Sequence, residues 1–203
     1  MQALPRTLLA TLGLSALVLG STLGADTVGD TFEVNPGGWL VLETDMGSID
    51  IQTADVPAVA IEIENAERLE LSFSQDEDNV YIKGDKLDER SFFSRFIEVN
   101  WKETPKFRIV VPRHYNLDLQ TSGGGIAVDG IVGEVRTRTS GGSLKFGHIR
   151  GPIQGKTSGG SIHLEEVEDK AAVHTSGGSI KIVRASGEVE ANTSGGNIHL
   201  RKI

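Results

Sequence analysis

The chain predicts an all-β protein, a parallel β-solenoid with 18-residue coils that are wider and irregular toward the N-terminus. Three observations predict it. First, the tetrapeptide Thr-Ser-Gly-Gly occurs five times, at Thr121, Thr139, Thr157, Thr175 and Thr193, each copy starting 18 residues after the last. A fixed period without insertion means one structural unit stacked on itself, so equivalent residues form rows along the stack. Second, the quartets that follow are Gly-Ile-Ala-Val (125–128), Ser-Leu-Lys-Phe (143–146), Ser-Ile-His-Leu (161–164), Ser-Ile-Lys-Ile (179–182) and Asn-Ile-His-Leu (197–200). Their second and fourth residues are always apolar, the period-2 signature of a strand with one buried face. Third, the same alternation precedes the later copies, at Val135 and Thr137, Ile153, Ala171 and Val173, and Val189 and Ala191.

Each element follows from these rows. Two or three short strands per repeat, with turns between them, pair with their counterparts about 4.8 Å away, so the stack from first to last copy spans about 19 Å. A further apolar position lies between the strands at Ile131, Ile149, Val167 and Ala185. The glycine pairs are Gly123 with Gly124, Gly141 with Gly142, Gly159 with Gly160, Gly177 with Gly178, and Gly195 with Gly196. They read as structural turns, where glycine's access to positive φ bends the chain. The threonine of each copy either packs its methyl inward or adds its hydroxyl to a stacked hydrogen-bonded row. An up-and-down antiparallel sheet is the competing fold, but hairpins do not require equal intervals.

The pattern extends toward the N-terminus. Thr44-Asp-Met-Gly-Ser-Ile-Asp-Ile51 is a degenerate copy, preceded by Leu40 and Leu42 as Leu117 and Leu119 precede Thr121. Between residues 52 and 116, strands are expected at 59–63, 69–73, 80–82, 97–101 and 109–111. A helical turn near 91–96, carrying Phe92, Phe93 and Phe96, reads as a cap on the coil. Residues 26–203 are taken as one domain, irregular over 26–120 and regular over 121–203.

Residues 1–25 read as a secretory signal: Arg6, an uncharged apolar run from Leu8 to Leu19, and Leu23-Gly24-Ala25 ahead of the cleavage point. An uncleaved anchor over 7–25 is the alternative, weakened by Gly13, Ser15, Gly20, Ser21 and Gly24. The expected location is therefore exported, in the periplasm or at the cell surface, with no membrane span after cleavage. Cysteine is absent, which excludes disulfides and thiolate metal sites. Net charge is −8, unevenly spread: residues 26–120 hold 20 acidic and 9 basic side chains, and residues 121–203 hold 8 and 10. An acidic chain of this kind is a poor nucleic-acid binder.

The Thr-Ser-Gly-Gly-Ser-Ile repeats, together with Phe107-Arg-Ile-Val-Val-Pro-Arg-His-Tyr-Asn-Leu-Asp-Leu-Gln-Thr-Ser-Gly-Gly124, resemble the bacterial "putative adhesin" β-strand-repeat family, a domain of unknown function. The resemblance spans about residues 38–203. It implies a β-helical envelope or surface protein, in some members linked to envelope stress, and it carries no catalytic residues.

One outward row draws attention: Ala127, Lys145, His163, Lys181 and His199. Stacked on one face, it is a candidate grip for a polyanion such as an acidic surface polysaccharide. Arg138, Lys156, His174 and Asn192 form a second row, expected to extend the same basic surface. The serines that follow each threonine have no base singled out for one of them and read as turn residues. Gly155-Lys156-Thr157 lacks the earlier glycine and the helix of a phosphate loop. The 18-residue spacing lacks the recurrent Asp of calcium-binding nonapeptides. Asp76-Glu77-Asp78 reads as a solvated loop. Glu165, Glu166, Glu168 and Asp169 crowd one coil without acidic counterparts above or below, a weak basis for a polysaccharide-active enzyme. No cofactor or metal is expected. The expected function is a non-enzymatic envelope binding or structural module, with an assembly accessory that binds another protein as the alternative. The last copy stops at Ile203 without a polar cap, so its unpaired edge is expected to mediate self-association.

Overall fold

Alternating burial runs through the repeat strands. In Leu144–Arg150, Leu144, Phe146 and Ile149 are buried while Lys145, His148 and Arg150 are exposed. Such a strand must cover its apolar face, and this chain does so with a second sheet. The computed structural model describes residues 27–87 and 103–203. The expected signal segment, the expected helical turn at 91–96 and the expected strand at 97–101 lie outside the described residues.

The N-terminal strands are β1 (Thr27–Glu33), β2 (Trp39–Thr44), β3 (Ser48–Ala54), β4 (Ala58–Glu64), β5 (Leu69–Asp76), β6 (Asn79–Lys86) and β7 (Lys106–Pro112). The repeats supply β8 (Asn116–Thr121), β9 (Ile126–Val132), β10 (Val135–Thr139), β11 (Leu144–Arg150), β12 (Ile153–Thr157) and β13 (Ile162–Val167). They end with β14 (Ala171–Thr175), β15 (Ile180–Ala185), β16 (Val189–Thr193) and β17 (Ile198–Lys202). A nine-stranded sheet runs β1-β4-β7-β3-β9-β11-β13-β15-β17, and an eight-stranded sheet runs β16-β14-β12-β10-β8-β2-β6-β5. Each repeat gives one strand to each sheet, and Thr-Ser-Gly-Gly is the bend between them. All repeat pairings are parallel. Leu144 pairs with Ile162, Ile162 with Ile180, and Ile153 with Ala171, each 18 residues on.

The positions expected between two strands belong to a single long strand. Ile131, Ile149, Val167 and Ala185 are buried inside β9, β11, β13 and β15. Alternation slips by one residue at Gly147, where Phe146 and Ile149 both face inward, and the same slip stacks from repeat to repeat. Two strands per repeat therefore suffice. Ile126, Leu144, Ile162 and Ile180 fill one inner row, and burying each such side chain contributes roughly 1.5–3 kcal/mol. Gly155 faces Phe146 across the core, where a Cβ at Gly155 would lie in ordinary contact, 3.5 Å from the Phe146 ring.

The glycine pairs call for a correction. None of their ten residues has positive φ; among the described glycines, only Gly37, Gly47, Gly133 and Gly151 do. The second glycine of each pair is needed for closeness instead. A Cβ would lie 1.9 Å from the Gly47 carbonyl oxygen at Gly124, and 2.0 Å from the Gly124, Gly142 and Gly160 oxygens at Gly142, Gly160 and Gly178. The first glycine has room: a Cβ at Gly159 meets nothing nearer than 3.6 Å. The threonine hydroxyl locks the same contact. Thr139, Thr157, Thr175 and Thr193 donate to Gly124, Gly142, Gly160 and Gly178 of the preceding repeat, each at 2.8 Å. Each also accepts from its own second glycine N–H, as Thr157 does from Gly160 at 3.3 Å.

The degenerate copy joins this stack directly. Thr44 pairs with Thr121 and Ile49 with Ile126, and the Thr121 hydroxyl donates to Gly47. Beyond it, β6 and β7 pair in parallel with β2 and β3. The next strands run backwards: β4 is antiparallel to β7 and β1, and β5 is antiparallel to β6. The Asp76-Glu77-Asp78 segment is the β5–β6 hairpin turn, with Glu77 at φ 51°. Asp78 accepts from the Asn35 backbone at 2.7 Å and, through its carbonyl, from the Tyr115 hydroxyl. Burial and the nearby Asp78 charge push the Tyr115 phenol up to about 12. Asp30 on edge strand β1 stands opposite buried Ile61, a core-side charge that discourages further pairing at this end.

Gly160→Ala should therefore lose about 3 kcal/mol of stability and roughly 6–12 °C in Tm. Gly159→Ala should stay within about 0.5 kcal/mol. Thermal unfolding of the two variants checks this, and equal losses would refute the close-approach explanation.

Candidate functional site

The two basic rows occupy different surfaces. Ala127, Lys145, His163, Lys181 and His199 stand in register on β9, β11, β13, β15 and β17. Arg138, Lys156, His174 and Asn192 stand in register on β10, β12, β14 and β16. The first row belongs to the nine-stranded sheet and the second to the eight-stranded sheet, and one core lies between the sheets. The rows thus look in opposite directions and do not form the continuous basic surface expected from the sequence. The Thr-Ser-Gly-Gly bend separates them: Arg138 precedes it and Lys145 follows it.

The outer face of the nine-stranded sheet is electrically mixed. Asp50 continues the Lys145 row beyond Ala127. His163 contacts Glu165 at 3.3 Å. A depression of about 400 Å³ there is bordered by Asp50, Asp129 and Glu165 as well as Lys145 and His163. Farther along the strands, acids and bases pair across the stack. Arg150 meets Glu168 at 3.0 Å, Glu166 meets Arg184 at 2.7 Å, and His148 meets Glu168 at 2.8 Å. The hydrogen bond from His148, with further help from Arg150, holds the Glu168 carboxyl below the usual carboxylate range.

These pairs account for most of the acidic crowd in one repeat. Glu165, Glu166 and Glu168 each have a cationic or imidazole partner, and Asp169 accepts from the Lys170 backbone at 2.7 Å. A carboxyl serving as general acid needs a raised pKa. Glu168 is shifted the other way.

The outer face of the eight-stranded sheet carries a groove of about 470 Å³. Arg138, Lys156 and His174 border it on three adjacent strands, with the carboxylates of Asp118 and Glu190 also on its border, and none of the three has a carboxylate partner among the described residues. Beside them runs a second outward row, Arg136, Gln154, Ala172 and Glu190. Short Ala172 leaves the hollow between the longer Gln154 and Glu190. Arg136 is turned aside: its guanidinium lies 4.7 Å from the Trp39 ring centre and 2.8 Å from Glu134.

Sequence reasoning missed two features. Ser143, Ser161 and Ser179 form a hydroxyl ladder that accepts from the backbone N–H of residues 161, 179 and 197 at 3.1–3.2 Å. The signal was present in the serine that follows three of the glycine pairs and in its Asn197 replacement after the last. The hollow over Ala172 was also missed, and its signal was one alanine in an otherwise long-chained outer row. Among the described residues, no three His, Asp or Glu side chains gather in a way that could hold a metal ion. No helix among them is long and apolar enough to cross a membrane.

Solved structures resemble this chain at low identity. A "putative cell adhesion protein" from Clostridium sporogenes is 13% identical, over 87% of this chain and 100% of that one, with a TM-score of 0.36. A "putative adhesin" from Bacteroides fragilis is 12% identical, over 87% of this chain and 98% of the other, with a TM-score of 0.39. No curated protein matches. The Toastrack DUF4097 family matches residues 39–203, which takes in strands β2 to β17, so the chain belongs to that family.

Proposed function

We propose that this chain is a non-enzymatic, exported β-solenoid of 18-residue coils that binds an anionic polymer of the bacterial envelope. The observation that carries this reading is the set of in-register outer cations on three adjacent strands without carboxylate partners, Arg138, Lys156 and His174. A repeating scaffold holds repeating charges at fixed spacing, and a polymer is the ligand whose own charges also repeat. The ion-paired carboxylates around Glu168 support a binding role over a hydrolytic one. Export rests on the Arg6 and Leu8–Leu19 pattern of the N-terminal segment.

A second reading is favoured by the far end of the stack. On β17 the core-facing residues are not covered: Ile198 is 42% exposed and Leu200 46%, with the following Ile203 61%, while Val189 and Ala191 of β16 are half-buried. The opposite end is closed by the reversed strands β4 and β5 and by Asp30. An apolar unpaired edge invites another strand, and a second copy of this chain supplies one.

Two outcomes follow. Purified residues 26–203 should be retained on acidic envelope polysaccharide at low salt and released as salt rises, because exposed charge contacts are screened within about 8–10 Å at physiological ionic strength. Retention that ignores salt would contradict the anionic-polymer reading. In static light scattering the molar mass should grow with concentration, and Leu200→Glu should hold it at the monomer value. A parent chain that stays monomeric at high concentration removes the second reading.

A further inference from the structure

We propose that the groove over Ala172 on the eight-stranded sheet is the ligand site, and that it takes a carboxylated polysaccharide lying across the strands. This rests on the polymer-binding reading above and specifies its face and its chemistry.

Several charges outside the groove are balanced across the stack. Arg150 meets Glu168, Glu166 meets Arg184, and Lys170 meets Glu188, each pair 18 residues apart. Opposite charge on the neighbouring strand thus recurs, and the basic Lys145, His163, Lys181 and His199 row of the other face has Glu165 paired with His163 and Asp50 and Asp129 beside it. Along Arg138, Lys156 and His174 the same spacing brings together only basic groups. Like groups directly opposite on neighbouring strands repel, at a cost to stability, when both are charged. An anionic ligand reverses that cost, since each of its acid groups gains a charge-assisted hydrogen bond.

Geometry points to a sugar polymer. Arg138, Lys156 and His174 cover two strand spacings, about 10 Å, along the stack axis. A linear acidic polysaccharide laid along that axis presents its carboxylates at the regular intervals the row can meet. The hollow over Ala172 gives room for a sugar ring, and the side-chain amides of Gln120, Gln154 and Asn192 can pair with its hydroxyls. Gln120 and Asn192 stand in the cationic row itself, on either side of the three bases. Among the described residues no Phe, Tyr or Trp side chain borders the groove for a nucleic-acid base to stack on, and Trp39 lies under Arg136. The few apolar groups at the border, Ala172 and Val173, are too small a patch for a lipid surface. Rigid strands hold all of these groups, so little side-chain positioning is left to binding.

The test compares two double variants of equal charge change. Arg138→Glu with Lys156→Glu alters the groove, and Lys145→Glu with Lys181→Glu alters the opposite face. Affinity for polygalacturonate is measured by titration calorimetry on residues 26–203, with neutral dextran and poly(U) as comparison ligands. All substituted side chains are at the surface, and circular dichroism with thermal unfolding verifies that each variant is folded. A neutral pair, Lys156→Gln with His174→Gln, covers the case where charge reversal disturbs the sheet. The groove variant should bind polygalacturonate at least tenfold more weakly than the parent and the neutral pair at least threefold. The opposite-face variant should stay within twofold. Equal weakening by the two charge-reversal variants, or none by the groove variant, overturns the site and leaves the polymer-binding reading standing. Tighter binding of poly(U) than of polygalacturonate overturns the saccharide assignment. A parent chain that binds none of these ligands overturns this inference, and the broader reading falls only if acidic envelope polysaccharide also fails to retain it.

Discussion

The second glycine of each Thr-Ser-Gly-Gly lies so near the carbonyl of the preceding repeat that no side chain fits between them. At Gly142, Gly160 and Gly178 an added Cβ would stand 2.0 Å from that oxygen. The contact fixes how closely one repeat lies on the next at the bend, and the threonine hydroxyl bonds to the same oxygen at 2.8 Å. With both sheets joined at this point, the register of one sheet dictates that of the other. The inner rows of Ile, Leu and Val then close over one another, and the outer rows inherit the same spacing. Charge rows on the surface are thus a consequence of a steric contact at the bend.

That dependence explains why repeats so alike carry two different surfaces. Each bend sends the chain from one sheet to the other, so Lys156 and His163, seven residues apart, emerge on opposite sides. The nine-stranded face holds several of its charges in internal pairs such as Arg150 with Glu168. The eight-stranded face leaves three basic groups in a row and a hollow beside them. The stack is also polar from end to end. One end is closed by strands that run in reverse, while the other presents Ile198 and Leu200.

Much of the repeat region is legible in the amino-acid order, because period and alternation are local properties. Thr44 can be aligned with Thr121 by eye, and the two residues do pair. The backward course of β4 and β5 is not legible, since antiparallel pairing between distant segments leaves no period to read. The role of the glycines was misread because glycine has two distinct uses, conformational freedom and absence of a side chain, and composition does not distinguish them. The kink at Gly147 was hidden for a related reason: a one-residue slip in alternation resembles the start of a new strand. The division of the basic rows between two faces follows from knowing that Thr-Ser-Gly-Gly joins two sheets. The hollow at Ala172 emerges only when neighbouring outer side chains are placed beside one another.

The absence of native cysteine makes a direct distance measurement straightforward. Spin labels at Ser122 paired in turn with Ser158, Ser176 and Ser194 would be read by pulsed electron resonance. Stacked repeats require the separation to rise in equal steps of about 4.8 Å, reaching roughly 19 Å between backbones for the last pair. Unequal steps, or a separation that fails to grow with repeat number, would contradict the stacking on which the surface rows depend.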